Sequence, residues 1–199
     1  ISCRICGRWP GAQRGTRLVH ISTDAVFDGA RPYIPGDGYT EADMPNPLSV
    51  YARTKLAGEQ AVLSANPQAA VARVNFYGWS LTGRRSLGEF FFNNLSAGQR
   101  INGFTDVMFC PLLATDLADI LLEMARRGLN GVYHTVSSEA VSKYEFGCRL
   151  ARHFGLDESL ITPIRVSESG LKAARSPNLA LNTGKLAAAL GRALPEVDT

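Results

Sequence analysis

Apolar runs alternate with helix-forming segments along the first part of the chain. Residues 17–22 (RLVHIS) form a short, mostly apolar run typical of a buried parallel strand, and the polar loop from Thr23 to Gly29 follows it. Residues 49–65 are rich in Ala, Leu, Lys, Glu and Gln, which favour a helix, and Pro67 stops that run. Residues 68–77 (QAAVARVNFY) predict the next strand.

The pattern continues beyond residue 78 with helix signals that are clearer than the strand signals. Capping-box spacing recurs at Ser86/Glu89 and at Ser142/Glu145. Helices are predicted from these two serines and from Thr115, ending at Gly98, Gly155 and Gly128, with extended segments at 100–113 and 131–136 and a last helix in the tail. Such alternation predicts an α/β fold, a doubly wound parallel sheet that binds ligands at the carboxyl ends of its strands.

Candidate chemistry lies at the end of the first strand and on the helix after it. Of the six tyrosines, only Tyr51 has a lysine four residues later, Lys55, and a helix places both side chains on one face. An ammonium held near a phenol favours the ionised phenol and so makes proton exchange easier. The Thr23 hydroxyl is placed to hydrogen-bond a substrate oxygen. These three residues predict carbonyl reduction or alcohol oxidation with a bound nicotinamide cofactor, since no side chain supplies hydride.

Composition and charge exclude several other classes of protein. The chain has 199 residues, of which 45% are hydrophobic and 20% charged, as in an ordinary globular domain. Its net charge of +3 comes from 17 Arg and 4 Lys that are scattered along the sequence, which argues against a nucleic-acid partner. No apolar run approaches the roughly 20 residues that span a bilayer, and no signal-peptide core is visible. We therefore expect no membrane partner and a cytoplasmic location.

The cysteines do not predict a metal site. Cys3 and Cys6 form one C-x-x-C pair, but a structural zinc site needs about four ligands and no second pair accompanies it. Cys110 and Cys148 stand in apolar surroundings, where we expect them to be buried as small hydrophobic side chains.

Several blocks of sequence resemble one known family. HISTDAVFDG, YTEADMPNPLSVYARTKLAGEQAV and VARVNFYG are similar to the extended short-chain dehydrogenase/reductase superfamily, and most of all to the dTDP-4-dehydrorhamnose reductases. The similarity continues through FTDVMFCPLLATDLADIL, GVYHTV and SPNLALNTGKLAAALG, so that it covers about residues 17–195. It implies an NAD(P)H-dependent reductase that acts on a keto group of a nucleotide-linked sugar, with a homodimer as the candidate assembly.

The resemblance also implies roles for individual residues. Thr23 matches the family's catalytic Ser/Thr and Tyr51 its acid/base tyrosine, while Lys55 matches the lysine that binds the nicotinamide ribose. Asp24 matches an aspartate that is expected near the substrate.

Three further positions are implied to line the site. The backbone around Asn75 and Phe76 is expected beside the nicotinamide, with Asn75 also near the substrate. Arg175 falls where relatives place an arginine that contacts a phosphate or a sugar. Ala25 replaces a tyrosine that is common in the rhamnose reductases, which predicts a different sugar pocket.

Two alternative functions stay open. Asn75 is more similar to the asparagine of nucleotide-sugar epimerases, so an NAD-dependent epimerase or dehydratase on the same scaffold is the enzymatic alternative. Some relatives, such as the regulatory subunit of methionine adenosyltransferase, use this fold as a binding module. A non-catalytic nucleotide- or sugar-binding subunit is therefore the alternative of another class.

The domain organisation follows from the same resemblance. Family members begin with a strand, a glycine-rich turn and a helix that binds the cofactor pyrophosphate, and no such unit is recognisable here. We therefore expect an incomplete Rossmann-like fold and a fragment that is inactive alone. Residues 1–16 are predicted to be poorly ordered, 17–78 to carry the catalytic residues, and 79–199 to form a smaller α/β substrate-binding part in which 105–127 pack back on the sheet.

Overall fold

The structure is a computed structural model that describes residues 16–170 and 176–197. Its strands are β1 (Val19–Thr23), β2 (Ala70–Val74), β3 (Phe76–Tyr77), β4 (Ile101–Phe104), β5 (Met108–Phe109), β6 (Leu112–Leu113), β7 (Gly131–Thr135), β8 (Val141–Ser142), β9 (Ile161–Ile164) and β10 (Asn178–Leu179). Its α-helices are α1 (Val50–Ala65), α2 (Leu87–Ser96), α3 (Ala114–Arg127), α4 (Lys143–His153) and α5 (Gly184–Leu190). The prediction of an α/β fold is confirmed.

Three parallel strands form the central sheet of the described residues, in the order β1, β2, β7. Thr23, Val74 and Thr135 are in register at the carboxyl ends of these strands. Because all three strands run in the same direction, their carboxyl ends meet at one edge of the sheet. The loop after Thr23 therefore starts where ligands bind in folds of this kind.

Helices cover both faces of this sheet. On one face, Ala70, Ala72 and Tyr133 pack into a core with residues of α3 and α5. On the other face, α1 contacts β1 and β2, and Ser22 points toward it. The alternation of side chains along each strand thus supplies two different layers, as the prediction of a doubly wound sheet requires.

A second group of elements surrounds α2 and α4. β4 pairs in parallel with β9, while β5 pairs in parallel with β10 and antiparallel with β8. The core between these elements includes Phe91, Phe109 and Phe146, whose rings meet edge to face. Cys110 and Cys148 are buried, as the sequence predicts, and burial raises the pKa of the Cys110 thiol to about 12.

The predicted division at residue 78 stays a prediction. β7 and α5 come from residues 79–199, yet β7 pairs with β2 and α5 packs on β7 in the central sheet. α3 also packs on this sheet. Residues 1–15, which include Cys3 and Cys6, lie outside the described residues, and so does Arg175.

Candidate functional site

Helix α1 begins where its sequence provides a cap. The Ser49 hydroxyl accepts a hydrogen bond from the Ala52 amide (3.1 Å), and Asn66 and Pro67 follow the last turn. The spacing of four residues brings Tyr51 and Lys55 onto one face of this helix, as predicted.

Lys55 connects α1 to the strand that ends at Thr23. Its Nζ donates a 2.6 Å hydrogen bond to the carbonyl oxygen of Ile21, two residues before the end of β1. An ammonium has three donors, so this bond leaves others for a ligand. Tyr51 lies one turn nearer the start of the helix, and its side chain is 60% exposed. Its hydroxyl makes no hydrogen bond to the residues that the structure describes.

Thr23, Asp24 and Asn75 form a hydrogen-bonded group at the carboxyl ends of β1 and β2. The Thr23 hydroxyl donates to Asp24 Oδ1 (3.0 Å) and accepts from the Ala25 amide (3.2 Å), which caps a short 3-10 helix at Asp24–Val26. The Asn75 side-chain amide donates to Asp24 Oδ2 (2.6 Å). The structure thus brings together three residues that the sequence predicted separately.

The Asp24 carboxyl is buried, and burial raises its pKa above the ordinary value. Hydrogen bonds from Asn75, Thr23 and the Ala25 amide, together with the positive charge of Lys143, oppose this rise without cancelling it. The neutral form of Asp24 is therefore favoured more than that of an exposed carboxyl. When it is protonated, this carboxyl can donate to Thr23 in place of accepting from it.

A cavity of about 340 Å³ lies beside this group. Asn75, Phe76 and Ala25 contribute to its wall, and Leu48 and Ser49 bring the start of α1 to it. The remaining lining residues are Tyr77, Leu87, Val107, Met108, Phe109, Lys143, Ser176 and Leu179. The wall is mainly apolar with a few polar groups, as in pockets for small organic ligands.

Lys143 is a cavity residue that the sequence analysis did not single out. It is the first residue of α4, and its Nζ lies 6.0 Å from the centre of the Phe109 ring. Its position directly after the predicted helix cap at Ser142 was visible in the sequence. The contact with this cavity was not visible, because it depends on the tertiary packing of α4 against β5.

The described residues include no group of three or more His, Cys, Asp and Glu side chains that could hold a metal ion. Within residues 16–170 and 176–197, no helix has the length and apolar character needed to cross a bilayer.

The residues near Thr23 fit a nicotinamide cofactor. Lys55 has donors that its bond to Ile21 does not use, the Tyr51 phenol is open, and Phe76, the first residue of β3, is 54% exposed. These groups offer hydrogen-bond donors for a ribose and an apolar surface for a planar ring.

Comparison with known proteins gives a consistent result. A family model described as the RmlD substrate binding domain matches residues 10–198. The dTDP-4-dehydrorhamnose reductase of Mycobacterium tuberculosis is 37% identical over 189 residues, which are 89% of this chain and 59% of that protein. Subunit beta of methionine adenosyltransferase 2 from Danio rerio is 33% identical over 182 residues, 86% of this chain and 54% of that protein.

A solved structure shows the same arrangement of elements. The dTDP-4-dehydrorhamnose reductase from Bacillus anthracis, crystallised in complex with NADP, superposes with a TM-score of 0.82 at 25% identity. The match covers 92% of this chain and 63% of that one. The chain thus spans less than two thirds of the length of these relatives.

Proposed function

The chain belongs to the RmlD substrate binding domain family, and from this we propose that it carries the proton-transfer and substrate-binding residues of an NAD(P)-dependent reductase. The substrate class is a nucleotide-linked sugar with a keto group. The observation that carries the proposal is the Thr23–Asp24–Asn75 group, which lies beside a cavity of about 340 Å³ and follows the strand that Lys55 contacts.

In this proposal each residue has a separate task. Tyr51 donates the proton to the oxygen of the reduced carbonyl, because its phenol is open and lies at the start of α1. Lys55 holds the nicotinamide ribose and supplies a positive charge near the phenol. The cofactor supplies the hydride.

Thr23 orients the substrate oxygen, and the geometry sets a condition for this. Its hydroxyl proton is directed at Asp24, so it must turn away from Asp24 before it can be donated to a substrate. When Asp24 is protonated, the direction of this hydrogen bond can reverse. The Asp24 carboxyl then donates to Thr23 Oγ1, and the Thr23 hydroxyl proton is available to the substrate oxygen.

Asn75 and Phe76 complete the proposed binding site. Asn75 holds Asp24 in place and contributes to the cavity wall, and Phe76 offers its exposed ring beside the cofactor position. The Lys143 ammonium gives the cavity a positive charge, which suits the diphosphate of a nucleotide-linked sugar. We keep Arg175 as a predicted phosphate or sugar contact.

Binding of NADH and NADPH, titrated separately against the purified chain by isothermal calorimetry, tests the cofactor part of this proposal. We expect saturable binding of one of the two, weakened by Lys55→Met and unchanged by Lys185→Met, in which the removed ammonium bonds the Val132 carbonyl oxygen elsewhere on the sheet. Absence of binding of either nucleotide would refute cofactor binding by this chain.

The amount of NAD(P)H consumed for each substrate molecule distinguishes the proposed reductase from the enzymatic alternative, an epimerase or dehydratase. A reductase consumes one NAD(P)H for each substrate molecule, whereas an epimerase or dehydratase returns its cofactor to the starting state and consumes none. Because the sequence predicts that the chain is inactive alone, turnover is measured on a joined chain, in which the cofactor-binding strand–turn–helix unit of a similar reductase precedes this one. In the joined chain we expect dTDP-4-dehydrorhamnose, the substrate named for the similar reductases, to oxidise NAD(P)H in a one-to-one ratio. Conversion of a nucleotide-linked sugar without net oxidation would favour the epimerase.

The second class of function is a binding subunit, and the similarity to a methionine adenosyltransferase subunit favours it as the alternative. A binding module would hold nucleotide without turning it over. Saturable cofactor binding together with no oxidation of NAD(P)H by any keto sugar nucleotide would favour this alternative.

A further inference from the structure

A buried cluster of three polar side chains lies beneath the candidate site. The Ser22 hydroxyl donates a short hydrogen bond to Glu59 Oε1. Arg73 donates from Nε to both carboxylate oxygens (3.1 and 3.3 Å) and from Nη2 to Oε2 (2.8 Å). The side chains of Arg73 and Glu59 are only 5% and 3% exposed. The Glu59 carboxylate therefore receives hydrogen bonds from two neighbouring strands.

The cluster touches every element that carries a candidate catalytic residue. Glu59 follows Lys55 by four residues and Tyr51 by eight, so all three lie along the same side of α1. Ser22 directly precedes Thr23, and Arg73 is in register with Ser22 on β2. The guanidinium carbon of Arg73 also lies 5.2 Å from the centre of the Phe27 ring, beyond the turn that follows Thr23.

Glu59 is the one large side chain of α1 that is fully buried, whereas Leu56 packs half-buried against the core around Val26 and Phe27. The buried residues of this helix are Ala52 and Glu59, and its remaining side chains are half-buried or exposed. An alanine has too small a side chain to fix the rotation of a helix about its axis. A carboxylate bound by two donors of one guanidinium and by a hydroxyl has only one favourable position, because hydrogen bonds are directional.

A buried ion pair also contributes little to the net stability of a fold. The cost of removing both charges from water offsets much of their attraction, and apolar replacements of such pairs are often equally stable. The best-attested use of such a pair is to select one register among several similar packings. The position of this pair between α1 and the ends of β1 and β2 fits that use.

We propose that Glu59 is a positioning residue, clamped by Ser22 and Arg73, which sets the rotation and height of α1 on the sheet. In that position Lys55 reaches the Ile21 carbonyl oxygen, and Tyr51 lies at the level of the strand end that carries Thr23. The inference that Glu59 sets the position of α1 is independent of the proposed function. The expected effect of that position on turnover rests on the proposed function.

The test uses a triple variant that replaces all three polar side chains of the cluster together, so that none of them is left without its partner. Ser22→Ala, Glu59→Leu and Arg73→Met together replace the cluster by apolar side chains of similar size. Glu59→Gln alone is unsuitable, because it would leave the Arg73 guanidinium buried without a counter-charge. The matched control is Glu139→Leu with Arg149→Met, which removes another bidentate Arg–Glu pair (2.7 and 2.9 Å) remote from α1.

The first measurement is the carbonyl ¹³C chemical shift of Ile21 in the full chain, which reports the hydrogen bond from Lys55. Lys55→Met gives the shift without that bond, and the unmodified chain gives the shift with it. We expect the triple variant to move to the Lys55→Met value while the control pair leaves the shift unchanged. A triple variant that retains the shift of the unmodified chain would overturn the proposal.

Glu59→Asp provides a second variant if the triple variant does not fold. It keeps the charge opposite Arg73 but shortens the side chain by one methylene, so α1 must move or the clamp must break. We expect the Ile21 shift to move toward the Lys55→Met value in this variant as well. A shift identical to that of the unmodified chain would contradict the proposed role of Glu59.

The second measurement is steady-state turnover of NAD(P)H, with the substitutions placed in the joined chain. We expect the triple variant to lose about tenfold or more in kcat with little change in KM, since proton transfer depends on alignment, and the control pair to keep both values. An unchanged kcat in the triple variant would overturn the positioning role. Absence of turnover in the joined chain without these substitutions would instead refute the proposed function, and the Ile21 carbonyl shift would still decide whether Glu59 positions α1.

Discussion

The Thr23 hydroxyl lies at the centre of the candidate site and has two bonds before any substrate arrives. It accepts from the Ala25 amide and donates to the buried Asp24 carboxyl. Its proposed role needs a third contact, with the substrate oxygen. The state of Asp24 therefore controls where the Thr23 proton points.

Thr23→Val removes this hydroxyl while keeping the shape of the side chain, and Thr23→Ser keeps the hydroxyl. We expect Val to lower turnover about tenfold or more, equivalent to one lost hydrogen bond of about 1.5 kcal/mol, and Ser to stay within a few-fold of the unmodified chain. Steady-state kinetics of the two variants, measured in the joined chain, checks this. Equal losses in both variants would show that the methyl group is what the site needs.

Asp24→Asn tests the electrostatic environment of the same group. Because burial raises the folded-state pKa of Asp24 above the ordinary 3.8, the folded chain holds this proton more tightly than the unfolded chain does. The contribution of Asp24 to stability is therefore complete below 3.8 and declines as the pH rises through the folded-state value. Asn does not titrate.

We expect the unfolding free energy of the unmodified chain to fall, relative to that of Asp24→Asn, as the pH rises from 4 to 8. Urea denaturation of both proteins across that range gives the difference. A difference that stays constant or increases with pH would contradict a raised pKa.

The residues of the candidate site that the sequence predicted are those marked by a local pattern. Tyr51 and Lys55 are linked by helical spacing, and Thr23 by its place after an apolar run. The bond between Asn75 and Asp24 joins residues 51 positions apart, and only the pairing of β1 with β2 brings them together. Their separate roles were implied by resemblance, and their contact was not predicted.

Among the elements, the starts of α2 and α4 agree with the sequence because a serine caps each of them, whereas α3 begins at Ala114, one residue before the predicted Thr115, and has no side-chain cap. The predicted capping box of α2 is present: the Ser86 hydroxyl accepts from the Glu89 amide, and the Glu89 carboxylate accepts from the Ser86 amide. Burial raises the pKa of Glu89, but hydrogen bonds from the Ser86 and Ser80 amides, the Ser80 hydroxyl and the Arg85 amide outweigh it and bring the pKa to about 2. At the start of α4 the Ser142 hydroxyl accepts from the Glu145 amide, which is the serine half of the predicted capping box.

Ser86→Ala should destabilise the chain by about 1 to 2 kcal/mol. The hydroxyl caps α2 and also donates to the Gly78 carbonyl oxygen (2.7 Å), so two bonds are lost. Ser96→Ala, at the exposed last residue of the same helix, is the control and should change stability by less than about 0.5 kcal/mol. Urea unfolding monitored by circular dichroism measures both, and equal effects would argue against the cap.

Gly147 permits the close crossing of α4 over α2. A Cβ atom at this position would lie 2.3 Å from the Phe91 ring, so Gly147→Ala should destabilise by about 1 to 3 kcal/mol through overpacking. Gly58→Ala is the control in α1, since its Cβ would meet only His20 at 3.4 Å. We expect that variant to gain about 0.5 to 1 kcal/mol from the helix propensity of alanine. Thermal denaturation separates the two, and a neutral Gly147→Ala would contradict the close packing.

At the scale of the whole molecule, the alternation of strands and helices predicted the doubly wound sheet, whereas the sequence did not predict the order of its strands. β7 pairs with β2 across more than fifty intervening residues, and its short run GVYHT carries no signal for that partner. Buried polar groups also escaped prediction. Arg73 lies within a fully buried strand because Glu59, from another element, neutralises it.

If this chain carries the proton-transfer residues of a keto-sugar reductase, the loss of one oxygen atom from Tyr51 must abolish most of the turnover. Tyr51→Phe removes the phenolic oxygen from an exposed side chain, so the fold should be unaffected. Tyr33→Phe makes the same chemical change in the loop between β1 and α1, at a residue with no proposed catalytic role, and serves as the control. The measurement is the rate at which the joined chain, with the cofactor-binding unit of a similar reductase, oxidises NAD(P)H with a keto sugar nucleotide. We predict a loss of about 10²-fold or more in Tyr51→Phe and a normal rate in Tyr33→Phe. Equal rates in the two variants would contradict the role of Tyr51 as the proton donor.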